Sequence, residues 1–498
     1  MFTPSLYADV LIPTALPATY TWAVPASMKD TVLVGSRVEV NLGKKKRYTG
    51  IVVRLHSNNT VGPTIKPILQ VIDQHPLVGS LQLLLWKWMA DYYLCTEGEI
   101  MAAALPAHFR LTSDTTLLFN PEAGDDFSQL SDDEYLVAEA LFLQKKLQIE
   151  QVQALLGKKN IDPVIQQLLL KNICVLEESL TQKYKPKVAS FISLSPLYAK
   201  QKNLDSLFNS LRQAPRQQQL LHVILELHQE QESIPMQDLL QKAKSSPAVL
   251  KALVERGAVV LEKKVVDRVE VLVPAIQIDF KLSAAQQKAL TAIKHQFETN
   301  PAVLLHGVTS SGKTNIYIEL IAEELRKGKQ VLFLLPEIAL TTQIIRRLQH
   351  HFGGHVGVYH SKFSSNERVE IWHQVASKRV NLILGTRSAI FLPFVNLSLI
   401  VCDEEHDSSY KQQEPAPRYH ARDSAAMLAR SFGAKVILGS ATPSLETYAN
   451  ARQGRFGLVT LTERFGGIRL PEIIVTDIRE AARKKLMKSH FSPVMMDA

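Results

Sequence analysis

Cysteine is scarce in this chain, and the scarcity closes off two architectures. Only three occur in 498 residues, Cys95, Cys174 and Cys402, and no two of them form a CxxC pair. A disulfide framework and a self-contained cysteine zinc site are therefore excluded. Long apolar runs are missing too. No stretch approaches the roughly 18 uninterrupted apolar residues of a membrane span. The opening MFTPSLYADVLIP has no basic segment followed by a long apolar one, so no signal peptide is expected. These absences predict a cytoplasmic protein with no membrane partner.

What remains is an ordinary globular composition, 46% hydrophobic and 21% charged. The length predicts three or four domains of roughly 100–200 residues each. Lys and Arg number 57 against 48 Asp and Glu, a surplus of +9 that is a mild pointer to a polyanionic partner.

Residues 1–60 alternate apolar and polar positions in short runs punctuated by Gly and Pro, which reads as a small β-domain. The helically spaced LQLLLWKWMADYYLC should pack its apolar face on that sheet, completing a domain over 1–106. Polar residues over 107–132 read as a linker. Residues 133–180 and 215–268 then follow one plan: three helices and a final strand, with Pro163 or Pro247 in the first turn of the third helix. Both units read as winged-helix-like, joined by a connecting segment over 181–214. From 280 to about 470, five-residue apolar runs (VLLH, VLFLL, VNLIL, LSLIVC, VILG) alternate with helical stretches. That pattern predicts a parallel α/β sheet whose loops at the strand C-termini carry the chemistry. The fold class is thus multidomain α/β, ending in a RecA-like P-loop lobe, with 471–498 as the start of an interlobe segment.

Three motifs sit on that last lobe. Gly307, Val308, Thr309, Ser310, Ser311, Gly312, Lys313 and Thr314 satisfy G-x-x-x-x-G-K-[ST] between a strand and a helix. Backbone N–H groups there can close around phosphate oxygens, aided by the helix N-terminus. Lys313 should reach the β/γ-phosphates of ATP and Thr314 should ligate Mg²⁺. Asp403-Glu404-Glu405-His406 follows another buried strand; Asp403 should hold the same metal and Glu404 polarise the attacking water. Ser440 and Thr442, after the strand KVIL, can bond the acidic loop and with His406 couple the ATP site to a polymer-binding face. Gln286, ahead of the P-loop, is a candidate adenine reader, because its amide both donates and accepts.

The motif series resembles the PriA family, superfamily 2 DNA helicases that restart stalled replication forks. The resemblance spans nearly the whole chain: VLIPTALPATYTWAVP, GSRVEVNLGKKKRYTGIVV, ADYY with GEI and ALP, then GVTSSGKT, LLPEIALTTQ, GTRSAIFLPF, DEEHDSSYKQ with PRYHARD, and GSATPSLE. It implies an N-terminal domain that grips the 3′ end of a nascent strand. Tyr20 and Trp22 are its candidate aromatics, and Lys44, Lys45, Lys46 and Arg47 its phosphate contacts. Thr21 stands where the family often has an acidic residue. It also implies an aromatic-rich loop over 403–423, in which Tyr410, Lys411, Arg418, Tyr419 and His420 would meet single-stranded DNA.

Forked and single-stranded DNA, primosome proteins and single-stranded DNA-binding protein are the partners so implied, for a monomeric protein. Zinc is expected only in the family's second lobe. That lobe would begin where this sequence stops, so the chain reads as the N-terminal part of a longer protein, unable to unwind alone. Another superfamily 2 translocase, or a fork-binding module without turnover, is the alternative.

Overall fold

A computed structural model describes the chain apart from residues 1–4, 17–18, 44–45, 59–64, 111–112, 125–126, 128, 159–160, 181–186, 199–200, 229–232, 267–274, 465–472 and 498. The N-terminal region is a five-stranded sheet of order β2-β1-β4-β3-β5. Its strands are β1 (Tyr7–Leu11), β2 (Tyr20–Ala23), β3 (Arg37–Leu42), β4 (Lys46–His56) and β5 (Gln70–Val71). Ala8, Val10, Trp22, Val38, Val40 and Val52 fill its core. Two helices follow, α1 (Ser80–Tyr93) and α2 (Glu97–Ala104). Thr96 starts α2 through a reciprocal capping box with Glu99, which satisfies two of its free N–H groups.

The sequence pattern predicts that α1 packs on this sheet, but the helix is shared. Leu85, Trp86 and Met89 lie in one continuous core with Leu11 and Ile51 of the sheet and with Phe391, Ala425 and Leu428 of the last domain. Gln82 Nε2 donates to Phe391 O at 2.8 Å, and Trp372 Nε1 to Leu77 O at 3.3 Å. Burying side chains such as Trp86 contributes about 2–3 kcal/mol each, so the N-terminal domain is anchored on the α/β lobe.

The segment expected as a linker holds a strand, β6 (Ser113–Phe119). It is central in a three-stranded sheet, β7-β6-β8, with β7 (Lys146–Gln148) and β8 (Cys174–Leu180). Helices α3 (Asp132–Gln144), α4 (Ile149–Leu156) and α5 (Asp162–Leu170) complete the unit. The connecting segment likewise carries β9 (Lys187–Leu194) and α6 (Gln201–Ser210). After α7 (Pro215–His228), β10 (Ile234–Pro235), α8 (Met236–Lys242), α9 (Pro247–Glu255) and β11 (Val259–Val266), the sheet order is β10-β9-β11. Both units therefore repeat one topology, and each begins a strand earlier than the sequence pattern places it. The leading strand pairs with partners more than 50 residues on, Ser113 with Leu180 and Lys187 with Val266. Local periodicity carries no trace of such a pairing.

The last domain, opened by α10 (Ala284–Thr299), is a seven-stranded sheet in which every pairing is parallel. Its order is β14-β15-β13-β16-β17-β12-β18. The strands are β12 (Ala302–Gly307), β13 (Gln330–Leu334), β14 (Val356–Tyr359), β15 (Leu382–Gly385), β16 (Leu397–Asp403), β17 (Lys435–Ser440) and β18 (Gly457–Leu461). Helices α11 (Lys313–Arg326), α12 (Thr342–Phe352), α13 (Ser365–Ala376), α14 (Ala421–Phe432) and α15 (Leu445–Arg452) connect them. Residues such as Val303, Leu332, Ile400 and Ile437 are buried, as a sheet covered on both faces requires. The C-terminal ends of β12, β16 and β17 lie side by side, which brings the three motif loops together. No helix among the described residues is long and apolar enough to cross a membrane.

Candidate nucleotide site and nucleic-acid surfaces

The loop after β12 turns through left-handed backbone at Ser310 (φ 63°) and Gly312 (φ 79°) before α11 begins at Lys313. This aims the free N–H groups at the start of α11 into a cavity of about 400 Å³. Thr309 to Asn315, Arg347, Asp403 and Glu404 line it. Lys313 is buried; its Nζ donates to Gly307 O at 3.0 Å and lies 3.8 Å from Glu404 Oε1. Asp403 ends β16 and accepts a hydrogen bond from Tyr317 Oη of α11 at 3.0 Å. Burial, with the neighbouring Glu404 charge, pushes the Asp403 carboxyl up to about 6. An anion-binding loop, the Thr314 hydroxyl and two carboxylates around one cavity fit a nucleotide triphosphate with a divalent cation. The cation would also supply the charge that Asp403, so buried, lacks.

The three residues expected to couple the two sites also meet. His406 Nδ1 is 2.8 Å from Ser440 Oγ, and its Nε2 is 3.4 Å from Thr442 Oγ1. Ser440 Oγ further accepts the Thr442 N–H at 3.0 Å. The sequence reading passed over Glu405, which is fully buried. Its carboxylate contacts Arg422 Nη1 (2.8 Å), the Ser444 N–H (2.7 Å) and hydroxyl (3.0 Å), and the Thr447 hydroxyl (2.9 Å). Burial opposes its charge, yet these donors outweigh burial and lower its pKa. The hub ties the acidic loop to α14 and to the loop after β17. Both ends, DEEH and PRYHARD, stand among the family motifs, but nothing in the sequence pairs them. Tyr317 and Arg347 were missed as well: Tyr317 bonds Asp403 from within α11 and Arg347 lines the cavity from α12, and neither belongs to a motif of the sequence analysis.

Gln286 does not present its amide to a base. The side chain is buried, with Nε2 donating to Ser311 O at 2.9 Å and Oε1 accepting from Ser283 N at 3.0 Å. It braces the P-loop from α10 and caps its own helix.

The expected DNA contacts divide sharply. Trp22 is 3% exposed and bonds Asn41 O through Nε1 at 3.2 Å, so it is core; Tyr20, edge-on to it, is exposed. Lys46 is exposed, whereas Arg47 is half-buried and pairs with Glu39 at 3.1 Å. Lys44 and Lys45 lie outside the described residues. Thr21 Oγ1 donates to Asp9 Oδ1 at 2.7 Å, directly across the β1–β2 register. A carboxylate is thus present one strand away from the position where the family resemblance expects one.

In the 403–423 loop, Tyr410 and Tyr419 are each 1% exposed and cannot stack on bases. Tyr410 Oη lies 2.7 Å from Asp403 O and 3.0 Å from Leu334 O, and Tyr419 packs edge-on against Phe391. Aromatic bulk here serves the core beside the acidic loop, in one cluster with Leu334, Phe391, Cys402 and Ala425. Lys411 lies over the Tyr93 ring at 5.4 Å, and Arg418 is exposed and paired with Glu414 at 2.7 Å. The half-buried His420 accepts a hydrogen bond from Tyr93 Oη at 3.3 Å through its carbonyl oxygen, not its ring.

Comparison with known proteins shows what the chain is similar to. Residues 9–106 match the 3'DNA-binding domain (3'BD) model of PriA, residues 189–266 the winged helix domain of PriA helicase from Bacteroidota, and residues 283–451 the DEAD/DEAH box helicase. The replication restart protein PriA of Bacillus subtilis is 32% identical over 96% of this chain and 58% of its own length. That of Synechocystis is 32% identical over 96% and 57%. Over nearly its whole length the chain is similar to the PriA-type replication restart proteins. The Rickettsia prowazekii member is 44% identical over 219 residues, 44% of this chain and 33% of its own. This chain spans rather more than half the length of the Bacillus subtilis and Synechocystis relatives. Among solved structures, RecG bound to a three-way DNA junction aligns at 22% identity and a TM-score of 0.30, over 39% of this chain and 25% of that one. The helicase-domain match implies nucleotide and Mg²⁺ use, and the 3′ DNA-binding domain implies DNA as a partner. The winged-helix match begins inside β9, in accord with the leading strand that the sequence pattern assigned to a connector.

Proposed function

We propose that this chain carries the fork-recognition and ATP-binding parts of a DNA helicase that translocates 3′ to 5′ and promotes replication restart. The observation that carries the reading is the convergence of Lys313, Thr314, Asp403 and Glu404 on one cavity, in a lobe packed against a 3′ DNA-binding domain. Lys313 and the P-loop N–H groups would hold the β/γ-phosphates, and Thr314 and Asp403 the cation. Glu404, half-exposed at the cavity, would orient water for attack. The nucleotide supplies the phosphoanhydride; the chain's residues position and neutralise it.

Hydrolysis in such motors also needs cations from a second lobe, worth roughly 10³–10⁵ in rate for arginine fingers. Turnover and unwinding accordingly need a lobe beyond these 498 residues, the same lobe to which any zinc would belong. The protein acts in the cytoplasm as a monomer, beside primosome proteins and single-stranded DNA-binding protein.

Phosphate release and strand displacement on forked DNA test the proposal. This chain alone should bind Mg·ATP and DNA with little turnover. Joined to a second lobe it should do both, and Glu404→Gln should then lower turnover by about 10²–10⁴ with nucleotide binding retained. Near-normal turnover in that variant removes Glu404 from its role. Unaided unwinding by this chain refutes the two-lobe requirement.

A further inference from the structure

A cluster of metal-binding groups lies outside the nucleotide cavity, where the segment leading into the motor lobe meets the end of α12. Asp279, His350 and His351 each bring one donor atom within 4.8 Å of the others. Asp279 turns one carboxylate oxygen to each imidazole: Oδ2 lies 2.8 Å from His350 Nε2, and Oδ1 lies 3.6 Å from His351 Nδ1. The same Nδ1 stands 2.8 Å from Gln277 O, and the Gln277 N–H donates to His351 O at 2.7 Å. Consecutive helical residues ordinarily point apart. Here the two ring centroids are 5.2 Å apart, and Phe280 packs edge-on against His351. His351 is buried while Asp279 and His350 are exposed, so the cluster has a fixed inner donor and an open outer side.

Two imidazoles and a carboxylate, with a backbone carbonyl in reach, are a donor set suited to a dication of the zinc class. Ligands held at about 2.1 Å in a tetrahedron stand about 3.4 Å apart. The donor separations here, 2.8 to 3.6 Å, bracket that value. The C-terminal end of α12 adds the negative pole of the helix dipole, which favours a cation. An ion pair between two exposed side chains stabilises little by itself, and it has no use for the second, buried histidine. We propose that Asp279, His350 and His351 form a zinc-binding site that fastens the segment entering the motor lobe to α12. Arg347 of the nucleotide cavity lies one turn before His350 on that helix, so the ion also braces a wall of the cavity. Zinc expected in a second lobe would be a separate ion, and the inference does not depend on the functional reading above.

The test is a Zn²⁺ titration of the full chain against a chelating dye. Excess Mg²⁺ is present to occupy the carboxylates of the nucleotide cavity, since that ion prefers oxygen ligands to imidazole. The wild type should take up one Zn²⁺ at about micromolar free metal, and His350→Ala and Asp279→Ala should each weaken this binding about tenfold or more. Zn²⁺ should also raise the thermal unfolding midpoint of the wild type and leave that of both variants unmoved, because only a folded-state site shifts the equilibrium. Both substituted residues are exposed, so circular dichroism should match wild type. His351→Ala should lose the ion too; if it misfolds, the two exposed variants decide. Zinc binding retained in folded variants places the ion on other histidines and overturns the site. Binding that appears only at millimolar zinc reduces the cluster to an ion pair and overturns it equally. Zinc bound here without a shift in midpoint overturns the fastening role.

Discussion

Replacing Asp403 by Asn should make the nucleotide-free protein more stable at neutral pH, although it removes a cation ligand. The carboxyl is buried beside Glu404 and its pKa stands at about 6 against an ordinary 3.8. The folded state therefore holds more protons than the unfolded chain between those values. Stability from this group is complete below about pH 3.8 and declines as pH rises through 6. At about 1.4 kcal/mol per pKa unit, the two-unit shift amounts to about 3 kcal/mol lost by pH 7.5 and about 1 kcal/mol at pH 4.5. Asn keeps an acceptor for Tyr317 Oη and carries no charge, so Asp403→Asn should recover up to those amounts. Urea unfolding followed by circular dichroism, between pH 4.5 and 8 and without nucleotide, measures the gain in the motor-lobe transition. Mg·ATP should stabilise the wild type and have little effect on the variant. A gain that is absent at pH 7.5, or equal at pH 4.5 and 7.5, refutes the argument that Asp403 is strained by burial.

The Glu405 hub should be far less forgiving. Arg422→Ala leaves a fully buried carboxylate without its cation and should cost about 3–5 kcal/mol in the same unfolding experiment. Gly439 faces Asp403 across the β16–β17 register, and a Cβ there would fall 1.7 Å from Tyr317 Oη. Gly439→Ala should therefore cost about 1–3 kcal/mol by overpacking. Adding Tyr317→Phe, which deletes the clashing oxygen, should recover much of that loss; no recovery would place the strain elsewhere.

The chemistry of the motor lobe was legible because its signals are local. The P-loop, the acidic strand end and the Ser440–Thr442 turn each occupy a few consecutive residues after an apolar run. Parallel topology then places their loops on one edge without further information. The DNA surfaces were less legible. Aromatic rings in a basic loop look the same whether they face bases or a core, and Tyr410, Tyr419 and Trp22 face a core. Gln286 shows the same ambiguity, since an amide able to read adenine is equally able to brace a P-loop carbonyl.

By itself the sequence determined which residues could bind phosphate and metal, where five of the seven strands of the last domain run, and which family the motif series resembles. All of these are set by spacing within one element. Tertiary structure alone decided the rest. It inserted a leading strand into each winged-helix-like unit and gave Glu405 its Arg422. It also fused α1 into the motor core and brought Asp279 to His350 across 71 residues of chain. Pairing across such separations depends on which surfaces meet on folding, and no periodicity in the chain records that choice.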